Sequence, residues 1–364
     1  MQNNLEIVDL SEDSIRQYID AKSAFTALEQ AKLRSAEFRG GMVWKTVKGK
    51  EYLVRTTTRG GQTGLGAKSS ETEAIYDKFT AGKARAAELT SGLKQAVAKH
   101  QRLNRALRIG RTPNIIIDIL VGLNDAGLSD KFTIIGTNSL YAYETAAGVR
   151  LNEAHLATRD VDLLWDNRKK LSLFTQENTL AGGMLGFLQG IDSSFMLRDD
   201  QLYTAVNKDG YEVDILRRMG QGSDAEPGRF SSLNDDFWVV KARNADWLLS
   251  APKFSEIVVG IGGKMARMKT VDPRAFALFK LWMTDQADRE PGKRIRDASQ
   301  ARIVVDLINS HLPQYSFEDI KVFPSAVADK IAVDSAGTRK IVQPRQWCWV
   351  KKFIMVESQL WNYW

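Results

Sequence analysis

The chain has 364 residues, of which 43% are hydrophobic and 26% charged, and its formal net charge is +7. These values are ordinary for a folded protein of two or three domains and exclude intrinsic disorder as the default. One cysteine, Cys348, excludes an internal disulfide, and with three widely spaced histidines it argues against a zinc site. The first 20 residues lack a signal-peptide pattern and no apolar run approaches the roughly 20 residues of a membrane span, so we expect a cytoplasmic protein. The positive charge favours a polyanionic partner such as nucleic acid.

The N-terminal part of the chain predicts helices around a basic β-hairpin. One helix begins after Ser11 and ends at the glycines 40 and 41, and a long helix runs from Ser69 or Ser70 to residue 108. Between them, residues 42–66 contain two β-rich runs with glycine turns. The alternative to a nucleic-acid surface on this hairpin is a small solvated sheet whose aromatic residues cover a local core. The residues predicted to grip phosphates or stack on bases are Trp44, Lys45, Lys48, Lys50, Tyr52 and Arg55.

From residue 113 helices and strands alternate, which predicts an α+β or α/β domain. GIGGKM at 260–265 is expected to be a hairpin turn, and the aromatic tail at 347–364 is expected to dock on a core. We predict an N-terminal module at 1–110, a core at 111–250 and a helical C-terminal region at 251–364 that closes a cleft. Helices are expected at 112–128, 137–147, 272–286 and 295–311, and strands at 131–136, 160–165, 211–217, 238–242, 255–260 and 264–270.

Three aspartates on strands form the candidate catalytic constellation. Asp160 and Asp162 alternate along one strand and therefore project from the same face, about 7 Å apart. Asp214 lies between the apolar Val213 and Ile215 in the run YEVDIL, and it joins the other two aspartates if the two strands are neighbours. Converging carboxylates repel one another unless a cation lies between them, and Mg²⁺ prefers such oxygen ligands. The alternative is that these acids pair with Arg159, Arg217 and Arg218.

A strand that ends at a glycine precedes these acids. Gly136 is followed by Thr137, Asn138 and Ser139, which open a helix. Unpaired backbone N–H groups at a helix N-terminus bind anions, and glycine lets a phosphate come close to the backbone. The four residues are therefore candidates for nucleotide binding, although many turns of this kind bind nothing.

The order Gly136-Thr137, then Asp160-Val-Asp162, then Asp214 resembles the DNA polymerase β-like nucleotidyltransferase superfamily. The segments GTNSLYAYE, ATRDVDLLWD, DPRAFALFKLWM and KRIRDASQARIV are similar to those of a bacterial family of stand-alone nucleotidyltransferase-fold proteins, over roughly residues 40–310. The resemblance implies an α+β nucleotidyltransferase core of mixed sheet with helices, and a site that binds two Mg²⁺ or Mn²⁺ ions. Related families include toxins that add nucleotides to tRNA, enzymes that nucleotidylate proteins and antibiotic-modifying transferases.

Basic residues beyond the acids suit the same chemistry, because phosphoryl transfer depends on charge neutralisation. Arg274 and Lys280 are candidates to contact a triphosphate, as is Arg294 within the cluster that precedes Asp297. The alternatives are that Lys280 extends from an amphipathic helix to solvent and that Arg294 pairs with Asp297, three residues on.

These observations predict a metal-dependent nucleotidyltransferase of the EC 2.7.7 type. It would transfer a nucleoside monophosphate from an NTP to an acceptor hydroxyl and release pyrophosphate. RNA, and tRNA in particular, is the favoured acceptor because of the basic hairpin and helix. A protein or small-molecule acceptor and a catalytically inactive nucleotide- or nucleic-acid-binding regulator are the alternatives. The toxin-like relatives also leave open a protein partner such as an antitoxin.

Overall fold

The structure is a computed structural model that describes residues 6–166, 182–218, 236–333 and 338–341. The predicted aromatic tail at 347–364 lies outside these residues. Among them, none of the helices combines the length and the apolar character that crossing a membrane requires. The chain forms two compact units: a larger unit of Met1–Leu10, Thr112–Val258 and Ala266–Trp364, and a smaller unit of Ser11–Arg111 and Val259–Met265. The domain boundaries expected at residues 110 and 250 stay predictions.

The helices and strands are numbered in chain order. The helices are α1 Glu12–Ser35, α2 Ser70–Ala106, α3 Asn114–Asp125, α4 Ser139–Ala147, α5 Glu153–Leu156, α6 Gly183–Ile191, α7 Ala245–Ser250, α8 Pro273–Thr284, α9 Pro291–His311 and α10 Ser325–Ala328. The strands are β1 Ile7–Asp9, β2 Gly41–Val47, β3 Lys50–Thr56, β4 Gln62–Ala67, β5 Phe132–Ile135, β6 Val149–Leu151, β7 Asp160–Trp165, β8 Met196–Leu197, β9 Thr204–Val206, β10 Glu212–Arg218, β11 Val240–Ala242, β12 Lys253–Val259, β13 Met265–Val271, β14 Ile331–Val333 and β15 Arg339–Ile341.

The smaller unit packs α1 against α2 and carries the three-stranded antiparallel sheet β2-β3-β4. The predicted caps are confirmed: the Ser11 hydroxyl accepts from the Ser14 N–H, and Ser69 forms a capping box with Thr72. Lys48 and Gly49 both have positive φ, as a two-residue turn between β2 and β3 requires. We expected two β-rich runs here, whereas the structure has three strands. The third strand, β4, contains two glycines, which weaken the strand pattern in its sequence. It forms because it pairs with β3.

The larger unit is built on a mixed sheet with the order β12-β13-β5-β7-β10-β9-β8, and β11 lies beside β10. β7 is parallel to β10 and antiparallel to β5, while β9 is antiparallel to β10. These pairings place β7 and β10 side by side in the middle of the sheet. The predicted turn at 260–265 is confirmed, since the Gly263 N–H donates to the Gly260 carbonyl between β12 and β13.

Helices α4, α8 and α9 hold the core of the larger unit. Tyr143 of α4 is wholly buried, and its ring packs edge-on against Phe254 and Phe276. Its hydroxyl donates to the Val271 carbonyl at 2.8 Å, so the end of β13 is tied to α4. α8 begins at Pro273, with the Asp272 carboxylate accepting from the Arg274 N–H, and it packs along α9. These contacts fix the ends of β5 and β13 next to the first turn of α8.

Candidate active site

Four carboxylates lie on one face of the paired strands β7 and β10. The register sets Asp162 beside Asp214 and Asp160 beside Glu212. Neighbouring strands are about 4.8 Å apart and alternate residues share a face, so the four side chains form a compact block. Sequence reasoning identified the three aspartates but missed Glu212. The signal was present, because Glu-Val-Asp at 212–214 repeats the alternation of Asp-Val-Asp at 160–162.

Burial raises the pKa of both Asp162 and Asp214, the pair that lie side by side on β7 and β10. Burial raises the pKa of Asp162 to about 7; Asp214 and Asp160 act in the same direction, whereas Lys280 and Arg289 oppose it. Burial also raises the pKa of Asp214, although the Thr204 hydroxyl opposes this by donating to its carboxylate at 2.6 Å. A buried carboxylate beside a second one is stabilised in its ionised form by a cation. Lys280 and Arg289 therefore offset the negative charge of these carboxylates only in part.

The block fits Mg²⁺ as an ion shared with substrate, not as a complete protein cage. Within the described ranges, no group of three or more His, Cys, Asp or Glu side chains is placed to hold a metal by itself. Mg²⁺ usually keeps several waters and takes one or two carboxylates together with substrate phosphates. Asp162 and Asp214, side by side with raised pKa, supply such a donor set, with Asp160 on the same face.

The arginines that the alternative interpretation pairs with these acids have other contacts. Arg159 donates to the Asp209 carbonyl at 3.0 Å, and Arg218 lies 3.7 Å from the Asp246 carboxylate. Arg217 is buried, and it lies an odd number of residues from Asp214 along β10. Its side chain therefore projects from the face of the strand opposite to that of Asp214. The three aspartates therefore face a space that these guanidinium groups do not fill.

Gly136 forms a seat for the Asp162 carboxylate. It begins a turn between β5 and α4 and has a φ of +68°. A Cβ atom at this position would lie 2.3 Å from Asp162 Oδ2, which is closer than atoms can approach. The glycine is thus required both by its backbone conformation and by the space that the carboxylate occupies.

The other residues of this turn hold it in place. Asn138 donates its side-chain amide to the Asp160 carbonyl at 2.6 Å, and the Thr137 hydroxyl accepts from Gln300 of α9 at 3.0 Å. The Ser139 hydroxyl is wholly buried and shares a 2.7 Å hydrogen bond with Thr270. We predicted phosphate contacts for all four residues, and only Gly136 among them lines the cavity described next. The side chains of Thr137, Asn138 and Ser139 have partners within the protein, and the phosphate contacts expected of these residues stay a prediction.

A cavity of about 400 Å³ opens beside Gly136 and Asp162. Its remaining wall comes mostly from α7, α8 and the segment that follows α8. Apolar side chains, including Phe276, Phe279 and Trp282, line much of it. Asp162, Lys280 and Arg289, whose charges act on one another, form the polar end of this lining. Arg243 and Asp288, which are joined by a 3.0 Å hydrogen bond, add a second charged pair to it.

Two cations at the polar end share one buried carboxylate. Lys280 Nζ donates to Asp297 Oδ1 at 2.6 Å and Arg289 Nε donates to Oδ2 at 2.9 Å, while Asp297 is only 1% exposed. Burial lowers the pKa of Lys280, and Asp297 opposes this. Two cations and one anion leave a net positive charge beside Asp162. Lys280 is thus buried and does not extend to solvent.

Arg274 and Arg294, which we predicted to bind nucleotide, do not line the cavity. Arg274 is held by the Asp272 carboxylate at 2.8 Å and by the Ser316 carbonyl at 2.6 Å. Arg294 donates to the carbonyls of Arg289 and Ala287 at 2.8 Å, and so it supports the segment that positions Arg289. Asp297, which the alternative interpretation pairs with Arg294, accepts from Lys280 and Arg289.

The predicted nucleic-acid residues of the hairpin separate into two groups in the smaller unit. Trp44 packs against Tyr76, with ring centroids 5.8 Å apart, and Arg55 lies over Phe79 while donating to the carbonyls of Glu37 and Arg39. Tyr52 is half-buried. The three lysines are exposed: Lys45 donates to the Gln62 side chain, Lys48 lies in the turn, and Lys50 follows it as the first residue of β3.

Comparison with known proteins shows that the part of the chain with the candidate active site matches a protein family. A family model described as nucleotidyltransferase matches residues 114–322, which is more than half of the chain and includes the carboxylates, Gly136 and the cavity. A search of curated proteins and a search of solved structures each found no match.

Replacing Gly136 by alanine tests the seat of Asp162. We expect Gly136→Ala to displace the Asp162 carboxylate and to lower the free energy of unfolding by about 1–3 kcal/mol, because φ is strained and the new Cβ clashes. Urea denaturation measures this loss. Gly190→Ala in α6 is the matched control, since a Cβ there meets nothing within 4 Å. Equal stability of Gly136→Ala and the native chain would contradict the close contact.

Proposed function

Because the chain belongs to the nucleotidyltransferase family, we propose that it transfers a nucleoside monophosphate from an NTP to an acceptor hydroxyl, with release of pyrophosphate. The observation that carries this proposal is the meeting of three features at one end of a cavity. These are Asp162 of the carboxylates on β7 and β10, the Gly136 turn, and the cation pair on Asp297. Each feature supplies one requirement for binding a triphosphate. The first gives oxygen ligands for a metal, the second a backbone that a phosphate can approach closely, and the third positive charge.

Lys280 and Arg289 are the proposed triphosphate ligands. They already share Asp297, so both are held in place before substrate binds and lose little freedom on binding. Gly136 lines the cavity and has no side chain of its own, so a phosphate oxygen can approach its backbone next to the Asp162 carboxylate. The apolar wall with Phe276, Phe279 and Trp282 suits a base or ribose.

Asp160, Asp162 and Asp214 are the proposed ligands of Mg²⁺ or Mn²⁺. When bound, the metal would activate the acceptor hydroxyl and neutralise charge on the phosphates. Asp214, whose pKa burial raises, is suited to take the hydroxyl proton. The acceptor oxygen then bonds to the α-phosphorus as the bond from that phosphorus to the bridging oxygen breaks, and Lys280 and Arg289 stabilise the charge of the leaving pyrophosphate.

RNA is the acceptor we propose, with tRNA as the favoured class. The exposed Lys45, Lys48 and Lys50 on the β2-β3 hairpin support it, because a polyanion gains affinity from such contacts. The alternatives remain a protein or small-molecule acceptor and an inactive binding regulator, and a toxin-like role with an antitoxin partner is a further possibility within the RNA proposal.

Radioactive labelling in a cell lysate tests the reaction. Incubation with Mg²⁺ and each α-³²P NTP should label an RNA band, and Asp162→Asn should reduce the label at least a hundredfold, since it removes a metal-binding charge. Chelation with EDTA should abolish it. Label on protein bands with RNA unlabelled would move the acceptor to the second candidate. No label with any NTP would contradict the transferase.

Lys280→Met tests the phosphate end of the cavity. We expect it to weaken NTP binding by about tenfold or more, because methionine removes the charged hydrogen-bond donor while keeping a side chain of similar length. Isothermal titration calorimetry with each NTP measures this, and Lys280→Arg should recover part of the affinity. The control is Lys293→Met, an exposed lysine that lies 3.8 Å from Glu290. Equal effects of the two methionine variants would remove Lys280 from the site.

A further inference from the structure

A second cavity lies within the smaller unit, between the end of α1 and the middle of α2. Its volume is about 360 Å³. Two lysines, three hydroxyl groups and one aromatic ring surround it, which is a mixed polar and apolar lining unlike that of a packing defect. The lining residues are Ser35, Phe38, Lys83, Ala86, Ala87, Thr90, Ser91 and Lys94.

Phe38 forms the apolar wall of this groove, and α2 is shaped to admit its ring. Phe38 belongs to the turn Ala36–Phe38 after α1, and its ring is tilted against Phe79 at 5.7 Å. A Cβ at Gly82 would lie 2.5 Å from the Phe38 ring, so α2 carries a glycine where the ring crosses it. Ala86 and Ala87 follow on α2 and also line the groove, so the side chains that share this lining with the ring are small.

Cations stand at both ends of the groove. Lys83 and Lys94 are exposed, and they are joined on one face of α2 by Ala87 and Thr90 at helical spacing. The two lysines are eleven positions apart, which corresponds to about 16 Å along the helix. Lys83 also donates to the Gly40 carbonyl, which fixes its position beside Phe38. A chain with regularly spaced negative charges can therefore contact both lysines while it crosses the ring.

The charge of the chain is concentrated in the unit that carries this groove. The smaller unit has 21 lysines and arginines against 10 aspartates and glutamates, a net charge of +11. The rest of the chain has 30 against 34, a net charge of −4. The whole-chain value of +7 therefore hides a strongly basic unit, whose field attracts a polyanion.

We propose that this groove binds a single-stranded segment of RNA, with a base stacked on Phe38 and phosphates near Lys83 and Lys94. Stacking on an aromatic ring between phosphate contacts is how single strands are held without base-specific readout. The hydroxyls of Ser35 and Thr90 donate to the carbonyls of Lys32 and Ala86, and their oxygens can still accept from a ribose 2′-OH, as can that of Ser91. The proposal rests on the proposed function in one respect, that RNA is the acceptor.

Fluorescence anisotropy of the full chain with a fluorescein-labelled 12-nucleotide single-stranded RNA, without NTP, tests the groove. We expect Lys83→Gln/Lys94→Gln to weaken binding about tenfold and to reduce the slope of log K against log salt by about 1.4. Phe38→Leu should weaken binding about fivefold or more and leave that slope unchanged, because stacking is lost and charge is not. Lys78→Gln is the matched control, since Lys78 is exposed on α2 about 160° around the helix from Lys94.

The outcomes separate the groove from the transferase. Since Lys83 supports the backbone at Gly40, Lys94→Gln alone is measured too, with thermal unfolding to show that each variant is folded. RNA binding by the native chain that Lys94→Gln and Phe38→Leu leave unchanged would overturn the groove and leave the transferase intact. Equal affinity for a DNA oligomer of the same sequence would overturn its assignment to RNA. Loss of label transfer in Asp162→Asn with RNA binding retained is the result expected if both proposals hold.

Discussion

The parallel pairing of β7 with β10 is the interaction on which the site depends. It sets Asp162 beside Asp214 and Asp160 beside Glu212, so negative charge from two distant stretches of chain converges on one face of the sheet. The cost of this arrangement is visible in the raised pKa of Asp162, which burial causes. A fold that keeps carboxylates together in this way gains from a cation, and the rest of the site is consistent with that need.

The surroundings of Asp162 follow from the same constraint. Gly136 cannot carry a side chain because the carboxylate occupies its place, and Asn138 ties the turn to the backbone of Asp160. Near Asp162, Asp297 holds Lys280 and Arg289 together. The buried anion at Asp297 is what keeps two cations close to each other, since they would otherwise repel. The cavity lining thus contains the acid Asp162 together with the cations Lys280 and Arg289, and the two cations are held by their hydrogen bonds to Asp297.

The sequence predicted the elements that carry this site better than it predicted their partners. The alternation of Asp-Val-Asp, the apolar run around Asp214 and the glycine after β5 are local patterns, and the strands 160–165 and 212–218 and the helices α4, α8 and α9 confirm them. Arg289 lies in an irregular segment with no periodicity, and its contact with Asp297 spans the turn into α9. Spacing favoured Arg294 for that contact, but its guanidinium caps backbone carbonyls instead, and Arg274 is taken by Asp272. Partner choice among several arginines is decided by tertiary packing, which periodicity does not contain.

The most direct test of the central claim is a crystal structure of the full chain with Mn²⁺ and a non-hydrolysable NTP analogue. The anomalous signal of Mn²⁺ locates the metal independently of the protein coordinates. We predict a peak contacted by Asp162 and Asp214, with the triphosphate between Gly136 and the pair Lys280 and Arg289. A nucleotide bound away from this cavity, or bound within it with no metal at the carboxylates, would contradict the account.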